Sequence, residues 1–132
     1  MQGVGPWRSQ GSGMANNKEV LVVDDNVDAA ESLMMLLEIH GFETRMANSG
    51  PAALAAVAEK VPTTVILDIS MPGMDGYEVA RRLREHYPSE RLQLLGLSGY
   101  GDAESSRKAE QAGFDRLLLK PISVDTIVAQ LR

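Results

Sequence analysis

From Lys18 onward, short apolar runs alternate with stretches of helical period, without a break to the end of the chain. The runs predict strands at residues 19–24, 42–47, 63–68, 92–97 and 114–119. Strict alternation of strand and helix implies a parallel sheet with helices on both faces. Strands buried on both faces read as continuous Val, Ile and Leu, and most of these do. The second run is more polar, which places it at a sheet edge. The expectation is an α/β fold built from one five-stranded parallel sheet. For five strands the common order is 2-1-3-4-5.

The helices follow from apolar spacing and from their ends. Ala30, Leu33, Met34 and Leu37 stripe a helix over 28–40 that Gly41 ends. Leu54, Val57, Ala58 and Val61 stripe a second, opened by Ser49-Gly50-Pro51 and stopped at Pro62. Val79, Ala80, Leu83 and Tyr87 stripe a third over about 76–87. The fourth, over about 102–112, offers mainly Ala and Ser inward, so it should bury little and be mobile. Gly113 closes it. Ser123 caps the last helix, with Val124, Ile127, Val128 and Leu131 as its stripe. Met34, Met35 and Met46 read as core filler. The basic runs Arg81-Arg82 with Arg84, and Arg107-Lys108, read as solvated helix faces.

Polar residues stand where four of the strands end: Asp24-Asp25, Asp68, Ser98 and Lys120. In open α/β sheets the ligand site lies at the carboxyl ends of the strands, where strand order reverses. The order 2-1-3-4-5 brings Asp24, Asp25 and Asp68 together, with Ser98 beside them and Lys120 one strand further out. Carboxylates at such range need a cation, and oxygen ligands without His or Cys suit Mg²⁺. A carboxylate is also a nucleophile toward phosphorus. Catalysis of that attack is mostly charge neutralisation and alignment, which Mg²⁺ and one Lys supply. Ser98 can donate to a phosphoryl oxygen, and Gly99 leaves room for it. Lys120-Pro121 fixes the exit of the last strand, and its peptide bond is open to either isomer. Tyr100 is placed to cover the pocket mouth or to serve as an exposed partner contact.

Composition narrows the alternatives. A net charge of −5 argues against a nucleic-acid surface, which needs clustered Lys and Arg. With no cysteine, disulfides and thiolate metal sites are excluded. His40 and His86 fall in different helices, so a zinc site is not expected. No apolar stretch reaches the roughly 20 residues of a membrane span. Residues 1–17 lack periodicity and read as a leader or disordered arm. With no signal-peptide h-region, the default location is cytoplasmic.

Together, Val22-Val-Asp-Asp25, Leu67-Asp68, Met71-Pro-Gly-Met-Asp-Gly76, Ser98-Gly99 and Lys120-Pro121 resemble the receiver domain of two-component response regulators, over about 18–132. Leu97-Ser-Gly-Tyr-Gly101 and Ala112-Gly-Phe-Asp115 are most similar to receivers associated with hybrid histidine kinases. The resemblance implies a flavodoxin-like (βα)5 fold and a phosphorelay role. It makes Asp68 the phosphoacceptor. Asp25, Asp68 and the Ser70 backbone carbonyl become Mg²⁺ ligands, and Asp24 acts through water. Lys120 pairs with the acyl phosphate and Ser98 is the switch hydroxyl. The implied phosphodonor is a phosphohistidine on a histidine kinase or histidine phosphotransfer protein. The response surface is helix 4, strand 5 and helix 5, with no direct nucleic-acid or membrane contact. Leu117 departs from the pattern, since the family usually carries Tyr or Phe there.

Singly, each element has an ordinary use. Asp24-Asp25-Asn26 can cap a helix, and Pro72-Gly73 and Asp75-Gly76 are common turn chemistry. Three rival functions stay open. A receiver-like module can dock without phosphorylation. An aspartate-nucleophile phosphatase would want a second acid two residues after Asp68, where Ser70 stands. A flavodoxin-like cofactor binder would need a phosphate loop after the first strand, where Asp24-Asp25 would repel it.

Overall fold

The computed structural model describes residues Lys18–Arg132. The leader or arm read over 1–17 lies outside them. The elements run β1 (Glu19–Val23), α1 (Val27–Ile39), β2 (Glu43–Ala47), α2 (Gly50–Glu59), β3 (Thr64–Asp68), α3 (Gly76–Arg84), β4 (Gln93–Ser98), α4 (Ala103–Ala112), β5 (Arg116–Leu119) and α5 (Val124–Gln130). All strand pairs are parallel and the spatial order is β2-β1-β3-β4-β5. This is the expected 2-1-3-4-5 order, with the polar β2 at one edge.

Strand alternation sorts the core into two layers. Leu21, Val23, Val65, Leu67, Leu92 and Leu94 meet α2, α3 and α4 on one face. Val20, Val22, Ile66, Leu95 and Leu97 meet α1 and α5 on the other. Each helix opens on a polar cap. Asn26, Ser49, Asp75, Asp102 and Ser123 each accept a backbone N–H three residues on. At Asp102 the Ser105 N–H holds the carboxyl below the usual carboxylate range. Gly41 and Gly113 end α1 and α4 with positive φ.

Four readings of the sequence need correction. Ala58 is exposed and Ala53 takes its place on the buried side of α2. The buried stripe runs 50, 53, 57. Met35 is 64 % exposed, so it fills no core, unlike the partly buried Met34 and Met46. Helix α3 ends at Arg84 rather than near Tyr87. Pro88 disfavours helical backbone in the residue before it, which shortens the helix.

The fourth correction is Arg84, which is no solvated residue. It donates Nε–H to Gly113 O at 2.8 Å and Nη1–H to Leu92 O at 2.7 Å and Tyr87 O at 3.1 Å. Its Nη2 reaches Asp115 Oδ2 at 2.9 Å. One guanidinium therefore ties the end of α3 to the end of α4 and the start of β4. Burial works against its charge, and Asp115 offsets that. Helix α4 itself buries only Ala109 and Ala112, as its composition suggested. Among the described residues, no helix is long and apolar enough to cross a membrane.

Candidate functional site

The parallel strands end on one rim, and the polar residues predicted to share a pocket lie along it. Asp68 is the last residue of β3 and Ser98 the last of β4, one register step beyond Asp68. Asp24 and Asp25 follow β1, and Lys120 follows β5. The carboxylates of Asp24, Asp25 and Asp68 each place an oxygen within 4.8 Å of the others. Asp68 is buried at 5 % exposure, Asp24 is half-buried and Asp25 is exposed.

The backbone around Asp68 is tightly tied. Ser70 N–H donates to Asp68 Oδ1 at 3.1 Å. Ile69 O accepts the N–H groups of Met71 and Gly76, at 3.2 and 3.0 Å. The loop of residues 69–75 therefore folds back on the strand end, with Met71 buried and Met74 beneath Gly50. Gly76 lets α3 start against the Asp68 peptide itself.

Lys120 Nζ lies 3.3 Å from Asp68 Oδ1. Its side chain is 41 % exposed, so water screens the pair and its net worth is small. Asp24 Oδ1 accepts Asn26 N–H at 2.9 Å. Burial raises the Asp24 carboxyl above its usual range and the Asp68 charge adds to that, while Asn26 N–H and Lys120 pull it down. The folded state thus binds a proton at Asp24 more tightly than the unfolded chain. That contribution turns against folding as pH rises through the carboxylate range. A bound divalent cation reverses the sign, and three clustered oxygen donors fit one.

An expected outcome follows. Asn at position 24 keeps the acceptor for Asn26 N–H and removes a crowded charge. Asp24→Asn should raise Tm in metal-free buffer at neutral pH. If the three acids hold Mg²⁺, the change should weaken that binding by about 10- to 100-fold. Thermal melts with and without Mg²⁺, and calorimetric titration, read both effects.

Ser98 is buried at 1 % exposure, but its hydroxyl is turned to the loop. Oγ accepts Tyr100 N–H at 2.9 Å and donates to Tyr100 O at 3.1 Å. A Cβ at Gly99 would meet nothing within 4 Å, so the space beside Ser98 is open. Lys120 N–H donates to Ser98 O at 2.8 Å, and the Lys120-Pro121 bond is cis. The Tyr100 side chain is 67 % exposed. It lines a cleft of about 420 Å³ with Ser70, Met71, Tyr77 and Lys108. Leu117 packs with Phe114 against Gly96, whose missing Cβ would lie 2.9 and 3.1 Å from them.

The response regulator receiver domain family profile matches residues 20–132. The chain is 34 % identical over 113 residues to the response regulator MprA of Mycobacterium leprae, covering 86 % of this chain and 49 % of that protein. It is 38 % identical over 117 residues to the virulence sensor protein BvgS of Bordetella pertussis, covering 85 % of this chain and 10 % of that protein. It thus spans about half of one relative and a tenth of the other. Among solved structures it resembles a Burkholderia pseudomallei response regulator holding a phosphorylated aspartic acid, calcium ion and citrate. That match has TM-score 0.80 and 28 % identity, covering 88 % of this chain and 67 % of the other.

Proposed function

Because this chain belongs to the response regulator receiver domain family, we propose that Asp68 takes a phosphoryl group from a phosphohistidine and switches a partner-binding surface. The observation that carries the reading is the setting of Asp68. It is a buried strand-end carboxylate with an ammonium at 3.3 Å and two more acids within reach. The Burkholderia relative carries its phosphoryl group on an aspartic acid. We take residues 18–132 as receiver domain.

In the proposed step an Asp68 oxygen attacks phosphorus and the phosphorus–nitrogen bond to the donor imidazole breaks. The electron pair stays on the imidazole nitrogen, which takes a proton from solvent. Asp25, Asp68 and the Ser70 backbone carbonyl would hold Mg²⁺, with Asp24 acting through water. When bound, Mg²⁺ neutralises the acids and the incoming phosphoryl oxygens. Lys120 places its cation where the product gains negative charge. Ser98 must first release Tyr100, then donate its hydroxyl to a phosphoryl oxygen. That release moves the loop from β4 to α4, and with it the face made by α4, β5 and α5. Helix α4 is thinly packed, and its outer turns line a cleft of about 530 Å³ together with Phe114 and Leu117. The donor in this reading is a histidine kinase or histidine phosphotransfer protein, and the domain works in the cytoplasm. It carries out its own phosphorylation and hydrolysis and is a signalling domain, not a metabolic enzyme.

Intact-mass measurement after incubation with acetyl phosphate and Mg²⁺ tests this. Wild type should gain one phosphoryl group and Asp68→Asn none. Wild type without the gain, yet still binding a partner, would favour a docking module that acts unphosphorylated. Phosphate loss offers a second check. Tyr100 borders the loop after Asp68, so Tyr100→Ala should let water in and speed dephosphorylation about two- to fivefold. Unchanged or slower loss would remove any covering role for the ring.

A further inference from the structure

The loop between β4 and α4 is shut at two points. The first is the Ser98 hydroxyl, bonded to both the N–H and the C=O of Tyr100. The second lies one residue on. A Cβ at Gly101 would lie 2.9 Å from Leu119 Cδ2 and 3.1 Å from Leu119 Cδ1. The leucine therefore occupies the side-chain space that Gly101 leaves empty. Leu119 is 52 % exposed, so it leans on the loop rather than into the core. Alternation along β5 sends Leu118 to the opposite layer and leaves Leu117 and Leu119 on the α4 side.

We propose that Leu119, seated on Gly101, is the positioning residue that keeps the Ser98 hydroxyl engaged with Tyr100 until Asp68 is modified. The proposal rests on the phosphoacceptor reading of Asp68. For Ser98 to donate to a phosphoryl oxygen, its one hydroxyl proton must leave Tyr100 O. Residues 100 and 101 then shift, and Gly101 leaves Leu119. The engaged state loses that contact and the resting state keeps it, so the contact biases the equilibrium toward rest. Leu119 is also well connected to the chemistry. It is one peptide bond from Lys120, whose N–H holds Ser98 O and whose Nζ meets Asp68. Leu117 packs on Gly96 lower in the strand and does not reach this loop in the same way.

The test uses Leu119→Ala, Gly101→Ala and the double variant in the full chain. Exposure of Leu119 makes unfolding of the first variant unexpected. Gly101 lacks positive φ, so alanine suits its backbone and acts by pushing the leucine off. Two readouts are needed. Hydrogen exchange of the Tyr100 amide reports the resting turn without any phosphoryl chemistry. Calorimetric titration with beryllofluoride and Mg²⁺ reports the engaged state. Each single variant should exchange Tyr100 N–H faster and bind beryllofluoride about three- to tenfold more tightly. The double variant should add nothing beyond the larger single effect, since both remove one contact. General damage to the fold would weaken binding instead of tightening it. If wild type binds beryllofluoride but the variants change neither readout, the latch is wrong and the phosphoacceptor reading stands. If wild type does not bind, the phosphoacceptor reading fails. Amide exchange alone then decides whether Leu119 holds the loop, and an unchanged rate overturns it.

Discussion

A Gly76→Ala protein should unfold about 3 kcal/mol more easily than wild type and lose phosphoryl uptake with it. A Cβ at this position would lie 2.7 Å from Asp68 O and 2.7 Å from Ile69 Cα. Both are backbone atoms of the strand end, so no rotamer change relieves them. Gly76 lacks positive φ, so alanine suits its backbone and any net loss reports the clash. Relief requires α3 to back away from β3 or the Asp68–Ile69 peptide to turn. Either movement loosens the bond from Gly76 N–H to Ile69 O, now 3.0 Å. That bond helps hold the loop whose Ser70 N–H reaches Asp68. Urea denaturation paired with intact-mass phosphorylation gives the two numbers. Wild-type stability with normal uptake would show that the close approach of α3 is dispensable.

Arg84→Ala should cost roughly 3 kcal/mol, by the same denaturation measurement. The guanidinium serves three backbone carbonyls and one carboxylate. Removing it leaves Leu92 O and Gly113 O short of a donor and Asp115 short of a close cation. Arg132 lies further from Asp115, at 3.8 Å, and cannot replace it. Arg84→Lys is the informative control. One ammonium cannot span directions set by a planar fork, so lysine should recover less than half of the loss. Full recovery by lysine would mean that charge alone matters there. Asp68 lies at the other end of the strands, so Arg84→Ala should take up phosphate as wild type does while it remains folded.

The sheet was readable because burial on both faces leaves little choice of residue. Val20–Val23 and Val65–Leu67 have no polar interruption, and the positions just beyond them stand out. The convergence of Asp24, Asp25 and Asp68 followed from strand order alone. What stayed hidden depended on direction and on distant partners. The periodic spacing of α2 admitted Ala58, yet packing against the rest of the fold selects Ala53. Arg84 sits in a basic run and looked solvated, because Gly113 and Leu92 approach it only in three dimensions. The hydroxyl of Ser98 was located, but its rotation toward Tyr100 depends on loop geometry that spacing does not encode. Leu119 read simply as strand, and its contact with Gly101 needed coordinates.

The amino ends of the strands carry a different set of interactions. Glu19 meets Arg45 at 3.1 Å and Lys60 at 3.5 Å. Thr64 Oγ1 and Arg132 N–H both donate to Gln93 Oε1, at 2.8 and 3.2 Å. Lys18 and Arg132 therefore both sit on the far side of the sheet from Asp68. Both described ends thus lie at the edge opposite the acid cluster and leave that cluster uncovered. Such geometry allows one unit to be spliced into proteins of very different length without redesign of its chemistry.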